Sequence, residues 1–219
     1  MNKELILEKT KAFVKDKLYG ESSGHDWFHI ERVYNLSTYL CEKEEADSFI
    51  VEMTALLHDI DDWKFSEGNE TVTTTTENYL KSVDVDIKSI NKIIKIIKTM
   101  SFKGGVVNSI QDSIEGKIVQ DADRLDAIGA IGIARTFAYS GSENRLMYDP
   151  SIKPLDFKTL DDVKNKDNHT VNHFYEKLLK LKDLMNTDTA KHIAEERHRF
   201  MELFLDEFYY EWNFNKKSL

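Results

Sequence analysis

The chain has 219 residues, 30 Lys and Arg, 39 Asp and Glu, and a formal net charge of -9 at pH 7. This length is sufficient for one domain, or at most two, around a substantial apolar core. The negative charge argues against a surface that binds nucleic acid or an anionic membrane, and ordinary solubility in the cytosol accounts for it.

The cysteine content and the N-terminal sequence argue against several further classes of protein. Cys41 is the single cysteine, so a disulfide framework and a cysteine-based zinc site are both excluded. The N-terminus is charged from the start and lacks the apolar stretch of a signal peptide. No apolar run approaches the roughly 18 residues that cross a membrane. We therefore expect a cytoplasmic protein without a membrane segment.

Helical periodicity dominates the chain. Only two prolines and nine glycines interrupt it, and no stretch shows the sustained alternation of an exposed strand, so the sequence predicts an all-α protein. In chain order, helices are predicted at about 3–18, 27–43, 47–59, 73–82, 87–100, 107–117, 121–139, 170–186 and 189–213.

Two further segments need a separate interpretation. Gly129 and Gly132 lie three residues apart, which favours close helix packing over phosphate binding because no strand precedes them. Residues 141–168 lose periodicity and contain both prolines, as is typical of a disordered loop or a functional lid. The aromatic residues of the last predicted helix fit a dimer interface or docking onto the chain's own core, so monomer and homodimer both remain possible.

The sequence ALLHDIDDWKF, residues 55–65, contains the first candidate for chemistry. Its apolar helical run ends in His58 and Asp59, which are costly to bury unless they are paired or bind a metal. For a lone His-Asp pair, a hydrogen-bonded network in the core would be the commoner explanation. However, His29 precedes the pair at the start of another predicted helix, and Asp121, Asp123 and Asp126 follow in a third.

This order of residues resembles the H…HD…D signature of the HD-domain superfamily of metal-dependent phosphohydrolases. The similarity extends over most of the chain and is closest to the small single-domain bacterial branch, the YedJ/YpgQ-like proteins. It rests on the segments GHDWFHIERV, HDIDDWKF, QDADRLDAIGAIGIAR and HFYEKLLKLKDLMNT. The resemblance implies a single-domain helical bundle over residues 1–219, with an HD core at about 20–140 and C-terminal helices at about 169–214.

The resemblance also implies a ligand set for one divalent metal ion. It assigns His29, His58, Asp59 and one later aspartate, and the family's Ala-Asp-Arg-Leu pattern favours Asp123, with Asp121 as the rival. Two imidazoles and two carboxylates suit a transition metal better than calcium. We expect manganese, with nickel, cobalt, iron, zinc or magnesium as alternatives. Such an ion lowers the pKa of bound water and polarises a phosphoryl oxygen.

Catalytic candidates flank these ligands. Asp62 follows His58 by four residues, and an acidic residue at this offset positions the attacking water in some HD enzymes, so Asp62 is the candidate general base. It is equally compatible with a solvated acid at a helix end. His25 and Asp26 flank His29, where they would orient the ligand, contact phosphate or simply lie on the surface.

Several cations are candidates for contacts to phosphate. His169, His173 and Lys177 recur every four residues and are predicted to share one helix face. Together with Arg124 and Lys64, they are the cations best placed to neutralise a polyphosphate. Lys64 is also one of the catalytic candidates. Any one of them taken alone is more often merely exposed.

The leading hypothesis is a phosphohydrolase with a small nucleotide substrate. Resemblance to the small bacterial branch implies nucleoside triphosphate pyrophosphohydrolysis, and phosphomonoesterase and phosphodiesterase activity are the alternatives within this class. A nucleotide-sensing module without turnover is disfavoured because the ligand set is complete. An iron-dependent oxygenase would need further ligands for a second metal, which Asp62, Asp121 or His25 could supply.

Overall fold

The structure of the protein, a computed structural model, describes residues 2–20, 26–61, 73–100, 109–156 and 169–214. Across these ranges all regular secondary structure is helical, which confirms the predicted all-α class. None of these helices combines the length and apolar character that crossing a membrane requires. The helices are α1 (Lys3–Leu18), α2 (Trp27–Glu44), α3 (Ser48–Leu57), α4 (Thr74–Ser82), α5 (Ile87–Met100), α6 (Ile114–Asp126), α7 (Gly129–Ser142), α8 (Asn172–Glu176) and α9 (Asp188–Asn213).

Short polar side chains begin the helices that carry the candidate ligands. Asp26 caps α2 by accepting a hydrogen bond from the backbone N–H of His29 at 2.8 Å. Asp47 caps α3, and Ser113 caps α6 through the N–H of Gly116 at 3.2 Å. Each cap satisfies an N–H that the first helical turn leaves without a partner. Asp26 thus has a defined structural contact at the start of α2.

Helix α3 occupies the centre of the fold. Its side chains from Phe49 to Leu57 are buried with the exception of Glu52, and it packs against α1, α2, α5 and α6. A helix that is apolar on all sides belongs in the middle of a core rather than at its edge. Helix α2 packs in turn against both α3 and α6. This arrangement brings the beginning of α2, the end of α3 and the second half of α6 to one place.

Three predicted helix boundaries were wrong. Residues 109–113 are not helical, so the helix predicted at about 107–117 is replaced by α6, and residues 101–108 lie outside the described ranges. The run from Asp121 to Tyr139 is divided between α6 and α7 at residues 127–128. The helix predicted at 170–186 consists of α8 and two 3-10 turns, Leu178–Lys180 and Lys182–Leu184. Apolar residues spaced three or four apart suit either helix type, so periodicity could not separate them.

The division between α6 and α7 occurs at Gly129. Its φ of +75° is accessible to glycine at little cost, and a Cβ there would lie 3.0 Å from Cγ of Arg197 on α9. A Cβ on Gly132 would lie 2.2 Å from the carbonyl oxygen of Ala127. The predicted close helix packing is therefore confirmed at Gly129, whose neighbour lies on α9, whereas the neighbour of Gly132 is the backbone just before its own helix.

Replacing Gly129 with alanine is expected to lower the free energy of unfolding by about 1–2 kcal/mol from backbone strain. The close contact with Arg197 should add to this loss. Gly20→Ala is the matched control, since Gly20 has a φ of +82° but a Cβ there would have no neighbour within 4 Å. Gly141→Ala, at an open position of α7, should be neutral or stabilise by up to about 1 kcal/mol. Urea unfolding measures all three, and equal losses for Gly129→Ala and Gly20→Ala would contradict the role of the Arg197 contact.

Candidate metal centre

Three helices place two histidines and two aspartates around one point. His29 lies in the first turn of α2, His58 and Asp59 directly follow α3, and Asp123 lies in the last turns of α6. Oδ2 of Asp59 is 3.3 Å from Nε2 of His29 and 3.4 Å from Nε2 of His58. Oδ1 of Asp123 is 3.6 Å and 3.9 Å from the same two nitrogens. One donor atom from each of His29, His58 and Asp59 lies within 4.8 Å of the other two, a spacing that could hold a metal ion.

Burial differs across the site. The side chains of His29 and His58 are 1% and 3% exposed, whereas that of Asp123 is 35% exposed. The site is therefore closed on the histidine side and open beside Asp123.

Hydrogen bonds to the two Nδ1 atoms set the orientation of the histidines. Nδ1 of His58 lies 2.9 Å from the carbonyl oxygen of Ala55, and Nδ1 of His29 lies 2.7 Å from Oδ2 of Asp126. Because both partners accept, each Nδ1 donates a proton and each Nε2 faces the centre. Nε2 of His58 is buried and makes no hydrogen bond with any described residue. A metal ion would satisfy this nitrogen, so the residues fit a metal centre.

The protonation of His29 reflects its carboxylate neighbours. Burial lowers the pKa of His29, but hydrogen bonds to Asp126 and Asp59 outweigh it and raise the pKa to about 9. A metal ion that binds Nε2 at neutral pH would therefore have to replace a proton.

Asp126 lies behind His29 and was not predicted from the sequence as a functional residue. Arg32 donates to it from Nε at 2.6 Å and from Nη2 at 3.0 Å, and Arg135 donates from Nη1 at 2.7 Å. Burial alone would raise the pKa of Asp126, but the hydrogen bonds from His29 and Arg32 hold it well below its usual range. The spacing of Asp123 and Asp126, three residues apart on one helix, was the available signal. No sequence pattern pointed to Arg135.

Asp121 is directed away from the two histidines. Its carboxylate accepts hydrogen bonds from the backbone N–H groups of Asn186 at 2.8 Å and Thr187 at 2.8 Å, and from the hydroxyl of Thr187 at 2.9 Å. Burial raises the pKa of Asp121, although these hydrogen bonds oppose the shift. Of the two rival aspartates, Asp123 is the one brought to the histidines, and Asp121 lies against the start of α9.

Arg124, predicted to bind substrate, is buried and engaged with other parts of the chain. Its Nη1 donates to the carbonyl oxygen of Leu184, and its Nη2 donates to Oγ of Ser109 at 3.2 Å. Burial lowers the pKa of its guanidinium, against the attraction of Asp121 and Asp123. The side chain thus joins α6 to the segment that precedes α9.

The single helix face predicted for His169, His173 and Lys177 is not formed. The helix α8 covers only Asn172–Glu176, so His169 precedes it and Lys177 follows it. His169 is buried, its Nδ1 accepts from the N–H of Asn172 at 3.2 Å, and its Nε2 lies 3.2 Å from the carbonyl oxygen of Ile152. The contact with Ile152 attaches the segment after α7 to the residues just before α8. The catalytic candidates His25, Asp62 and Lys64 lie outside the described residues.

Comparison with known proteins decides the family. The sequence model of the HD domain matches residues 27–128, which include all four candidate ligands. The chain is also 43% identical over 199 residues to the Bacillus subtilis protein YpgQ, covering 90% of this chain and 89% of that protein. The chain belongs to the HD-domain family.

Solved structures of similar proteins match nearly the whole chain. A protein from Lactobacillus plantarum is 38% identical with a TM-score of 0.88, and the match covers 98% of this chain and 100% of that one. An HD-superfamily hydrolase from Bacillus thuringiensis is 48% identical with a TM-score of 0.75 over 97% and 99% of the two chains. The structure of YpgQ in complex with ADP is 40% identical with a TM-score of 0.72 over 92% and 95%. Together they confirm the family that the order of His and Asp residues predicted.

Proposed function

We propose that this HD-domain protein is a metal-dependent phosphohydrolase that acts on nucleotides, specifically a nucleoside triphosphate pyrophosphohydrolase. The observation that carries the proposal is the convergence of Nε2 of His29, Nε2 of His58 and Oδ2 of Asp59, with Oδ1 of Asp123 on the open side. The ADP complex of the relative YpgQ supports a nucleotide as the substrate.

His29, His58, Asp59 and Asp123 are the proposed ligands of one divalent transition metal ion, with manganese as the proposed metal. The set of two nitrogens and two carboxylates suits such an ion. A bound metal ion supplies a water of lowered pKa and polarises a phosphoryl oxygen, which is the chemistry that phosphoester hydrolysis requires.

The protein side chains have separate tasks in this proposal. The buried histidines form the inner wall of the site. The exposed edge at Asp123 is where the phosphates of a nucleotide would approach. Asp62 is the proposed acceptor of the proton that the attacking water loses, on the basis of its sequence position after His58.

Replacing Asp62 with asparagine is expected to lower kcat by about 10²–10⁴-fold, because a general base contributes this much to a hydrolysis. The bound metal content and the melting temperature should stay unchanged. The neighbouring Asp61→Asn variant is the matched control, since Asp61 accepts hydrogen bonds from the N–H groups of Thr75 at 3.2 Å and Thr76 at 2.8 Å. It should affect stability more than kcat. A fully active Asp62→Asn enzyme would show that another group accepts the proton.

The test of the function is a release assay for phosphate and pyrophosphate. Purified protein with Mn²⁺ is incubated with nucleoside mono-, di- and triphosphates, beside a His58→Ala, Asp59→Ala double variant. Pyrophosphate from triphosphates, absent with the double variant, is the expected result. Orthophosphate from monophosphates would instead identify a phosphomonoesterase. Metal binding without release from any substrate would contradict the hydrolase and favour a nucleotide-sensing module.

A further inference from the structure

The carboxylate of Asp126 joins three helices directly behind the candidate metal centre. Its Oδ2 lies 2.7 Å from Nδ1 of His29 on α2, and 2.7 Å from Nη1 of Arg135 on α7. Its Oδ1 accepts from Nε of Arg32 at 2.6 Å. Asp126 itself belongs to α6, as does the candidate ligand Asp123. Its side chain is only 5% exposed, so these three partners replace water around it.

The two histidines of the centre are held in different ways. His58 donates to the carbonyl oxygen of Ala55, three residues earlier in the chain, so local backbone geometry orients the ring. His29 depends on a side chain 97 positions away in the sequence. In the neutral ring that a metal ion requires, either nitrogen could carry the remaining proton without that side chain, and Nε2 would lose its fixed direction.

We infer that Asp126 is a positioning residue for the metal centre, which fixes Nδ1 of His29 as the donor and directs Nε2 toward Asp59 and Asp123. Arg32 and Arg135 hold the carboxylate in the orientation that this contact requires. An ionised carboxylate with charge-assisted hydrogen bonds orients a ring more firmly than a neutral acceptor. It also makes the histidine a better ligand, as partners of metal-bound histidines commonly do. The inference rests on the proposed metal-dependent function, but it concerns binding of the metal rather than turnover.

The alternative is that Asp126 and its two arginines form a structural ion-pair network without effect on the metal. Both alternatives predict that Asp126→Asn reduces stability, because Arg32 and Arg135 lose a charged partner. Only the positioning role predicts that Asp126→Asn weakens metal binding more than the loss of another, equally buried ion pair does. Glu115 supplies that comparison, since it is buried on the same helix and pairs with Nζ of Lys92 at 2.8 Å.

The experiment titrates the full-length protein with Mn²⁺ by calorimetry, without substrate, for wild type, Asp126→Asn, Arg32→Gln and Glu115→Gln. We expect the Kd for Mn²⁺ to rise about 10–100-fold in Asp126→Asn, to rise less in Arg32→Gln, and to stay unchanged in Glu115→Gln. A proton NMR spectrum without added metal gives a second readout. The hydrogen-bonded Nδ1 proton of His29 should be protected from exchange in wild type and in Glu115→Gln, and exchange faster in Asp126→Asn, whose amide oxygen is a neutral and weaker acceptor.

Unchanged Mn²⁺ affinity and an unchanged His29 proton in Asp126→Asn would overturn the positioning role. An equal loss of affinity in Glu115→Gln would also overturn it, since the effect would then follow from destabilisation alone. If Asp126→Asn does not fold, Arg32→Gln decides, and unchanged affinity there counts against the role. Absence of hydrolysis together with the expected affinities would contradict the proposed function and leave this inference standing.

Discussion

Replacing Asp59 with alanine is expected to lower kcat/KM for nucleotide hydrolysis by at least about 10³-fold, equivalent to about 4 kcal/mol of transition-state stabilisation. Oδ2 of Asp59 lies 3.3 Å and 3.4 Å from the Nε2 atoms of His29 and His58. Its loss removes the negative charge nearest to both nitrogens. The protein should therefore lose its divalent metal, and with it the means to activate water.

Steady-state kinetics and metal analysis of the purified protein measure this effect. His58→Ala is expected to behave in the same way, and His192→Ala, at an exposed position of α9, is the matched control that should retain activity and metal. Full hydrolysis by Asp59→Ala without bound metal would show that the reaction proceeds elsewhere or without the ion.

Replacing Asp121 with alanine is expected to affect stability rather than chemistry. The carboxylate accepts hydrogen bonds from both backbone and side chain of Asn186 and Thr187, and it has no exposed surface. Alanine would leave these buried donors without an acceptor, at about 1–3 kcal/mol for each unsatisfied group. Because the donors can rearrange together, we expect a total loss of about 3–5 kcal/mol in the free energy of unfolding.

Chemical unfolding measures the loss, and calorimetry with Mn²⁺ below the unfolding transition measures the remaining affinity. Asn186→Ala is the companion variant, since it removes the side-chain donor at 2.8 Å and leaves the backbone donors in place. It should cost less than Asp121→Ala. Loss of Mn²⁺ binding by Asp121→Ala at unchanged stability would place Asp121 among the ligands instead of Asp123.

Asp121 and Asp123 show what the sequence pattern could predict about the site and what it could not. The order of His29, His58, Asp59 and a later aspartate predicted the family, and the comparisons confirmed it. The pattern left Asp121 and Asp123 as rivals. Residues two apart lie about 200° apart around a helix, so only one of them can face α2 and α3.

Helix prediction succeeded where the signals are local. The isoleucines of α5 and the cap at Asp47 lie within the segment that they define, and both helices begin close to where they were predicted. It failed at the division between α6 and α7, where Gly129 has a φ of +75° and a Cβ on it would meet the side chain of Arg197 from α9. It also failed for residues 170–186, where the structure has α8 and two 3-10 turns instead of one long helix.

The sequence by itself determined the all-α class, the family and the candidate ligands, because these depend on local periodicity and on the order of a few residue types. Only the tertiary structure decided which aspartate faces the histidines, that Arg124 is buried against the segment before α9, and that Asp126 supports His29. Each of these depends on the rotation of α6 about its axis. That rotation is set by the packing of its apolar side chains, including Ile118, Val119, Ala122 and Leu125, in the core that it shares with α2 and α3.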